Sequence, residues 1–237
     1  MKTLGLIGGM SWESTAVYYR LLNQMTRERL GGSHSAPLIL WSVDFEPITD
    51  MQASGRWDEA AAILVGAARQ LERAGAEALM ICANTMHLMA DEVQAAVSIP
   101  LIHIADATAK TVLATEVRRP LLLATRYSME QPFYRERLAG HGLEVVIPGE
   151  VDRARLQRMI YEELVRGIFN PQSKAALLQI VGAERARGAD GVILGCTELG
   201  MLVGPGDIHV PSFDTTHVHA LAGMEFALGE GRVMVRR

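Results

Sequence analysis

Short apolar runs alternate along this chain with longer segments in which apolar residues recur every three or four positions. The runs predict strands at 4–7, 37–44, 78–82, 101–104, 120–124, 143–147, 191–194 and 210–213. The periodic segments predict helices at 11–30, 57–74, 86–97, 129–140, 154–167, 173–188 and 216–228. Almost uninterrupted apolar strands between helices, including a buried strand at 37–44, are typical of a parallel sheet that is covered on both faces. The pattern therefore predicts an α/β fold.

Two stretches of the chain resemble each other, since residues 73–85 can be laid over residues 187–198. Gly75 then aligns with Gly188, and the apolar triplet 79–81 aligns with 192–194. In this register Cys196 corresponds to Ala83 and not to Cys82. Residues 6–10 also resemble 122–126, and 98–102 resemble 209–213. We predict two pseudo-symmetric α/β half-domains with parallel sheets: 1–104 plus 211–237, and 105–210.

The ends of the predicted strands carry the chemistry, because ligands of open α/β sheets lie beyond the carboxyl ends of the strands. Cys196 follows the strand at 191–194, close to a predicted helix start. Unpaired N–H groups there favour a thiolate, which can act as a base or a nucleophile. The alternative is a small buried residue at a tight turn.

Polar residues surround this position and its counterpart. Asn84, Thr85 and Thr197 could hold a carboxylate together with backbone N–H groups, or they could simply cap helices. Glu198 could pair with an ammonium group, orient a neighbour, or occupy the first turn of a helix as acidic residues often do.

Composition narrows the range of functions. A net charge of −4 over 237 residues argues against nucleic-acid binding, and no apolar stretch reaches membrane-spanning length. Two cysteines are too few for a disulfide scaffold, which favours a reducing, cytoplasmic setting. Gly8-Gly9-Met10 is not a dinucleotide fingerprint, and His217 and His219 would not share a helix face to bind a metal.

Five motifs in fixed order resemble the cofactor-independent aspartate/glutamate racemase family, and most closely its bacterial aspartate/glutamate racemase branch. They are Gly8-Gly-Met10 with Thr15, Asn84-Thr85 with His87, Leu123-Ala-Thr125, Gly195-Cys-Thr-Glu198 and Asp214-Thr215. The resemblance implies that two α/β halves enclose one amino acid in the cleft between them. Two cysteines flank its α-carbon, and neither PLP nor a metal takes part. It also favours a homodimer.

Carried onto this chain, the resemblance makes Cys196 one catalytic acid/base. The residues implied around the substrate are Met10, Gln52, Asn84, Thr85, Thr125, Thr197 and Glu198. The residue that meets a distal carboxylate stays open, with Arg126 and Lys174 as alternatives.

The chain departs from the family at one catalytic position. The first cysteine of the family comes immediately before Asn-Thr, and Ala83 stands there in this chain. Cys82 lies one place earlier, and on a strand that shift turns its side chain to the other face. Three explanations stay open. Cys196 works with a water or Thr85, giving slow or one-sided racemisation; the chain is an inactive or engineered variant that binds the amino acid without turnover; or it is a one-cysteine decarboxylase.

Overall fold

A computed structural model describes residues 1–204 and 206–230 of the chain. The first repeat contains β1 (Leu4–Gly8), α1 (Trp12–Leu30), β2 (Leu38–Ser42), α2 (Phe45–Ser54), α3 (Trp57–Arg73), β3 (Ala78–Ile81), a 3-10 segment (Thr85–Met89), α4 (Ala90–Ala95) and α5 (Ile104–Leu113). The second contains β4 (Pro120–Ala124), α6 (Arg126–Glu130), α7 (Pro132–Gly140), α8 (Glu150–Arg158), a π-helical segment (Met159–Glu163), a 3-10 segment (Leu164–Arg166), α9 (Pro171–Ala186), β5 (Gly191–Gly195), α10 (Leu199–Leu202), β6 (Ser212–Asp214) and α11 (Thr215–Leu228).

Two parallel three-stranded sheets organise these elements. Their strand orders are β2-β1-β3 and β4-β5-β6. Of the described residues, unit 1 comprises 1–104 and 219–230, and unit 2 comprises 105–204 and 206–218. The predicted α/β class with two parallel-sheet halves is confirmed.

The central strand pairs of the two sheets share one register. Leu6 of β1 lies opposite Met80 of β3, and Leu122 of β4 lies opposite Ile193 of β5. These are the pairs that the sequence alignment makes equivalent. The internal repeat predicted from the sequence is therefore present in the strand pairing itself.

Hydrogen bonds at the start of the strands repeat in the same way. The Thr3 N–H donates to Glu77 Oε2 at 2.8 Å, and the Arg119 N–H donates to Asp190 Oδ1 at 2.9 Å. In each repeat an acidic side chain thus anchors the neighbouring strand before the ladder begins. The anchor makes a one-residue slip of either strand pair unfavourable, because it would break this bond and turn every side chain to the opposite face.

The boundary of the second half differs from the prediction. Residues 211–237 were expected to return to the first half. Of these, 231–237 lie outside the described residues, and β6 pairs with β5, with Val192 opposite Ser212. The prediction is wrong for this strand, because its backbone groups complete the ladder of the second sheet. From His219 onward α11 belongs to unit 1, whereas α5 belongs to unit 2 from Ala105 onward. Unit 1 therefore contains most of α11, which follows the last strand of the second repeat. Unit 2 contains most of α5, which follows the last strand position of the first repeat.

Two predicted strands are reduced to single bridges. The segment at 101–104 contributes only the Leu79–Leu101 bridge, and the segment at 143–147 contributes only Leu121–Val146. In the first case α5 begins at Ile104, which ends the extended run. The apolar run at 101–104 thus lies at the outer edge of its sheet and continues into a helix.

The predicted strand at 37–44 exists as β2, but the expectation that it is buried is wrong. Among the described residues this edge strand pairs only with β1, and Leu40 and Trp41 are 47% and 42% exposed. α2 was not predicted at all. Asp44 caps it by accepting from the Glu46 N–H at 3.4 Å, and a single acidic residue after a strand is a weak signal for a helix start.

Unit 1 exposes further large apolar side chains, including Trp12 and Tyr19 on α1. The homodimer that the family resemblance favours stays a prediction. Among the described residues no helix is both long and apolar enough to cross a membrane.

His219 fixes α11 within unit 1. The Tyr18 hydroxyl donates to Nδ1 at 2.8 Å, and Nε2–H donates to the Ile102 carbonyl at 2.7 Å. A carbonyl can only accept, so Nε2 carries a proton, and in the neutral ring Nδ1 is left to accept from Tyr18. Burial lowers the pKa of His219 from its ordinary 6.5 to about 4, and the hydrogen bond to Ile102 opposes this shift only in part.

This buried histidine should make stability depend on pH. We expect the free energy of unfolding to fall as pH drops from 6.5 towards 4, because only the unfolded state takes up the proton of His219 in that window. One such group contributes a slope of up to about 1.4 kcal/mol per pH unit. Well above pH 6.5 the residue is neutral in both states and adds no slope. Urea denaturation followed by circular dichroism measures this dependence.

The matched controls are His219→Gln, which should lose this part of the slope, and His34→Gln on the surface, which should keep it. Equal slopes in wild type and His219→Gln would show that another group is responsible.

Candidate active site

The turn after β5 brings a thiol and a carboxylate into direct contact. The Cys196 thiol donates to Glu198 Oε2 at 3.0 Å, and the Thr197 hydroxyl donates to the same oxygen at 2.7 Å. All three side chains are buried. One carboxylate oxygen therefore receives two hydrogen bonds in a site with little access to water.

The environment of Cys196 keeps the thiol protonated in the substrate-free protein. Burial raises its pKa well above the ordinary value, and the negative charge of Glu198 and the hydrogen bond to it raise it further. N–H groups of Glu198 and Leu199 act in the opposite direction and are outweighed. The thiolate character predicted for Cys196 thus stays a prediction, and in the substrate-free protein burial and the charge of Glu198 oppose it.

Ala83 occupies the equivalent position in the turn after β3. The shared register aligns Ile81 with Leu194, so Ala83 aligns with Cys196. Ala83, Asn84 and Thr85 are all buried, and Thr85 begins the 3-10 segment. This turn carries a methyl group where its counterpart carries a thiol.

Cys82 points to the opposite side of the β3 strand. It packs fully buried in a cluster with Leu4 and Met80, whereas Ala83 belongs to another cluster with Ile81. Burial alone raises the pKa of the Cys82 thiol. The prediction that Cys82 packs in the core is confirmed.

Met10 and Gln52 lie on the same side of the first sheet as Ala83. Met10, Ala83 and Met86 share one buried cluster, and Gln52 Nε2 lies 3.2 Å from Met86 Sδ as a donor. Unit 1 therefore brings together the residues that the sequence predicted for its part of the substrate pocket.

The turn after β4 is occupied by a helix cap. Thr125 Oγ1 accepts from the Ser128 N–H at 3.3 Å and caps α6, which is the alternative role that polar residues at a strand end commonly take. The guanidinium of Arg126 lies 5.5 Å from the centre of the Tyr127 ring. Lys174 is engaged elsewhere in an ion pair of 2.6 Å with Asp207.

Tyr161 is a functional candidate that the sequence did not indicate. Its ring meets the Tyr127 ring edge-on, with centroids 6.5 Å apart. Burial raises the pKa of its phenol, and the charges of Tyr127, Cys196 and Glu198 raise it further. Tyr161 stands on the π-helical segment. The apolar periodicity of 154–167 predicted one regular helix here. π-helical turns are frequent at functional sites.

The described residues contain no group of three or more His, Cys, Asp or Glu side chains arranged to hold a metal ion. Of the His-x-His pair on α11, His219 is already bound to Tyr18 and Ile102.

Comparison with known proteins places the chain in a family. The model described as Asp/Glu/Hydantoin racemase matches residues 7–223. The crystal structure of an Asp/Glu racemase candidate from Yersinia pestis is 51% identical, with a TM-score of 0.88 over 96% of this chain and 100% of that chain. An aspartate racemase homologue from Pyrococcus horikoshii OT3 is 38% identical, with a TM-score of 0.83 over 96% and 100% of the two chains.

The chain is also similar to the broad specificity amino-acid racemase RacX of Bacillus subtilis (strain 168). It is 24% identical over 219 residues, which span 90% of this chain and 92% of RacX. Because the family model covers nearly the whole chain, the protein belongs to the Asp/Glu/hydantoin racemase family, a family of isomerases.

Proposed function

We propose that the protein is a PLP-independent racemase of acidic amino acids, aspartate and glutamate, in which Cys196 exchanges the α-proton. The observation that carries this proposal is the 3.0 Å contact from the Cys196 thiol to Glu198 Oε2. The names of the relatives, which include an aspartate racemase homologue and an amino-acid racemase, support this substrate class.

Glu198 supplies the step that a protonated thiol needs. The thiol proton moves to Glu198 Oε2, and the resulting thiolate takes the α-proton, leaving its electron pair on the substrate as a carbanion. Return of a proton from the thiol to the same carbon reverses the step, so protons and charge balance. The hydroxyl of Thr197 on the same oxygen orients the carboxylate and stabilises its charge.

The substrate carboxylate needs donors rather than a formal positive charge. We assign this role to the Asn84 amide and the Thr85 hydroxyl, together with the backbone N–H groups of Asn84, Thr85 and Thr197. Met10, Gln52 and Thr125 line the pocket in this proposal. Both turns thus act on the same amino acid.

Ala83 makes the proposed reaction one-sided. A methyl group cannot donate or accept a proton, so return of a proton to the face opposite Cys196 depends on a weaker donor such as water or the Thr85 hydroxyl. One enantiomer should therefore exchange its α-proton faster than it is inverted.

The role of Cys196 can be tested by deuterium exchange. In D₂O, Cys196→Ser should lose α-proton exchange by roughly 10²–10⁴-fold, the usual contribution of a general acid or base. Proton NMR with chiral chromatography on L- and D-aspartate and glutamate measures both exchange and inversion. Cys82→Ala, which changes the buried thiol on the other strand face, should exchange at the wild-type rate. If Cys196→Ser exchanged the α-proton at the wild-type rate, the mechanism would be ruled out. If the wild-type protein bound the amino acids but exchanged no α-proton, it would be a protein that binds without turnover.

Replacing the carboxylate should separate thiolate formation from catalysis. In Glu198→Gln the negative charge is gone, so the pKa of Cys196 should fall and thiolate absorbance at 240 nm should appear at lower pH than in wild type. Exchange should nevertheless slow by about 10²-fold, because the amide cannot accept the thiol proton. The exposed Glu162→Gln variant serves as the control. Unchanged titration and unchanged exchange together would show that Glu198 is not the proton acceptor.

Restoring a reactive group at position 83 should make the reaction two-sided. Ala83→Cys should raise the rate of inversion relative to exchange, and Ala83→Thr should raise it less, since a hydroxyl is a weaker acid than a thiol. Circular dichroism of the amino acid measures inversion directly. If Ala83→Cys inverts no faster than wild type, position 83 does not serve the second face.

A further inference from the structure

His87 makes two hydrogen bonds that hold the turn after β3. The residue is 3% exposed and lies in the 3-10 segment. Its Nδ1 is 2.8 Å from the Ala83 carbonyl oxygen, and its Nε2 is 3.2 Å from the Ile104 nitrogen. The side chain thus links the turn to the start of α5.

The two partners determine the proton position on His87. A backbone amide can only donate, so Nε2 accepts from Ile104. A carbonyl can only accept, so Nδ1–H donates to Ala83. Only the neutral Nδ1–H tautomer makes both bonds.

Packing holds the imidazole in this orientation. The ring lies 4.6 Å from the centre of the His103 ring and 5.7 Å from that of His219. His219 is itself fixed at both nitrogens by Tyr18 and Ile102. The ring of His87 therefore cannot rotate without disturbing a buried histidine column.

In the second repeat a backbone N–H, and not a side chain, bonds to the carbonyl of the corresponding turn. The Cys196 carbonyl accepts from the Leu199 N–H at 3.1 Å, an ordinary local turn bond. A gap-free continuation of the repeat alignment places Gly200 opposite His87. Gly200 has no side chain, so it cannot bond to the Cys196 carbonyl as the imidazole of His87 bonds to that of Ala83.

We propose that His87 is a positioning residue that sets the orientation of the Ala83–Asn84 peptide. In a planar trans peptide the carbonyl and the following N–H point in opposite directions. By fixing the Ala83 carbonyl, His87 directs the Asn84 N–H away from itself, towards the proposed substrate carboxylate, and fixes the direction of the side chain at position 83. This inference rests on the proposed function for the identity of the ligand.

Two variants can separate the two bonds of His87. In His87→Asn the amide nitrogen occupies the place of Nδ1 and can still donate to Ala83. In His87→Gln the amide oxygen occupies the place of Nε2 and can still accept from Ile104. Each variant loses one buried bond, so a purely structural role predicts equal loss of stability and equal loss of activity per folded molecule.

The positioning role predicts a difference between the variants. His87→Gln should bind aspartate more weakly and exchange its α-proton roughly ten- to a hundredfold more slowly per folded molecule, as expected for a displaced contact. His87→Asn should rescue most of both. In the Ala83→Cys background, His87→Gln should remove the gain in inversion and His87→Asn should keep it.

Hydrogen exchange of the Asn84 amide, followed by NMR, gives a readout that needs no substrate. Faster exchange in His87→Gln than in His87→Asn is expected, and equal exchange in the two would overturn the inference. If Ala83→Cys gains inversion and Ala83→Cys with His87→Gln keeps that gain, the inference fails while the proposed function stands. If no chain exchanges α-protons but Asn84 exchange still separates the variants, the proposed function fails and the inference stands.

Discussion

Parallel pairing of β1 with β3 and of β4 with β5 places the ends of corresponding strands at equivalent positions in their sheets. Side chains on a strand alternate between its faces, so this register decides which residue emerges at the turn and which returns to the core. In the first repeat it brings Ala83 to the turn and buries Cys82 on the other side. Shifted by one residue, the same sequence would present a thiol. The proposed one-sided proton exchange depends on this register, because it places Ala83 and not Cys82 at the turn.

Burial then decides what each thiol can do. It raises the pKa of both Cys82 and Cys196. Cys82 lies among apolar side chains and contributes only to core packing. The Cys196 Sγ, in contrast, lies 3.0 Å from Glu198 Oε2. A low-polarity environment keeps a thiol protonated, and the neighbouring carboxylate can accept that proton when the thiol must act as a base.

Much of this organisation could be predicted from the sequence, because it depends on apolar runs and on a repeated pattern. The α/β class, the internal repeat and the core position of Cys82 all follow from side-chain periodicity. Periodicity carries no information about neighbours across a sheet, so the exposure of Trp41 on an edge strand was missed. It also cannot reveal the π-helical turn at Tyr161, which is a detail of local backbone hydrogen bonding. Nor can it reveal that burial and the charge of Glu198 raise the pKa of Cys196, because both depend on how the turn is packed.

Helix α11 lies far along the chain from the sheet that it covers. Ala220, Met224 and Ala227 of α11 belong to the buried core of the first sheet, so a fragment ending at residue 104 would lack one wall of its own interior. The first repeat is therefore not a self-sufficient folding unit. Its core is complete only when the C-terminal helix of the chain has reached it.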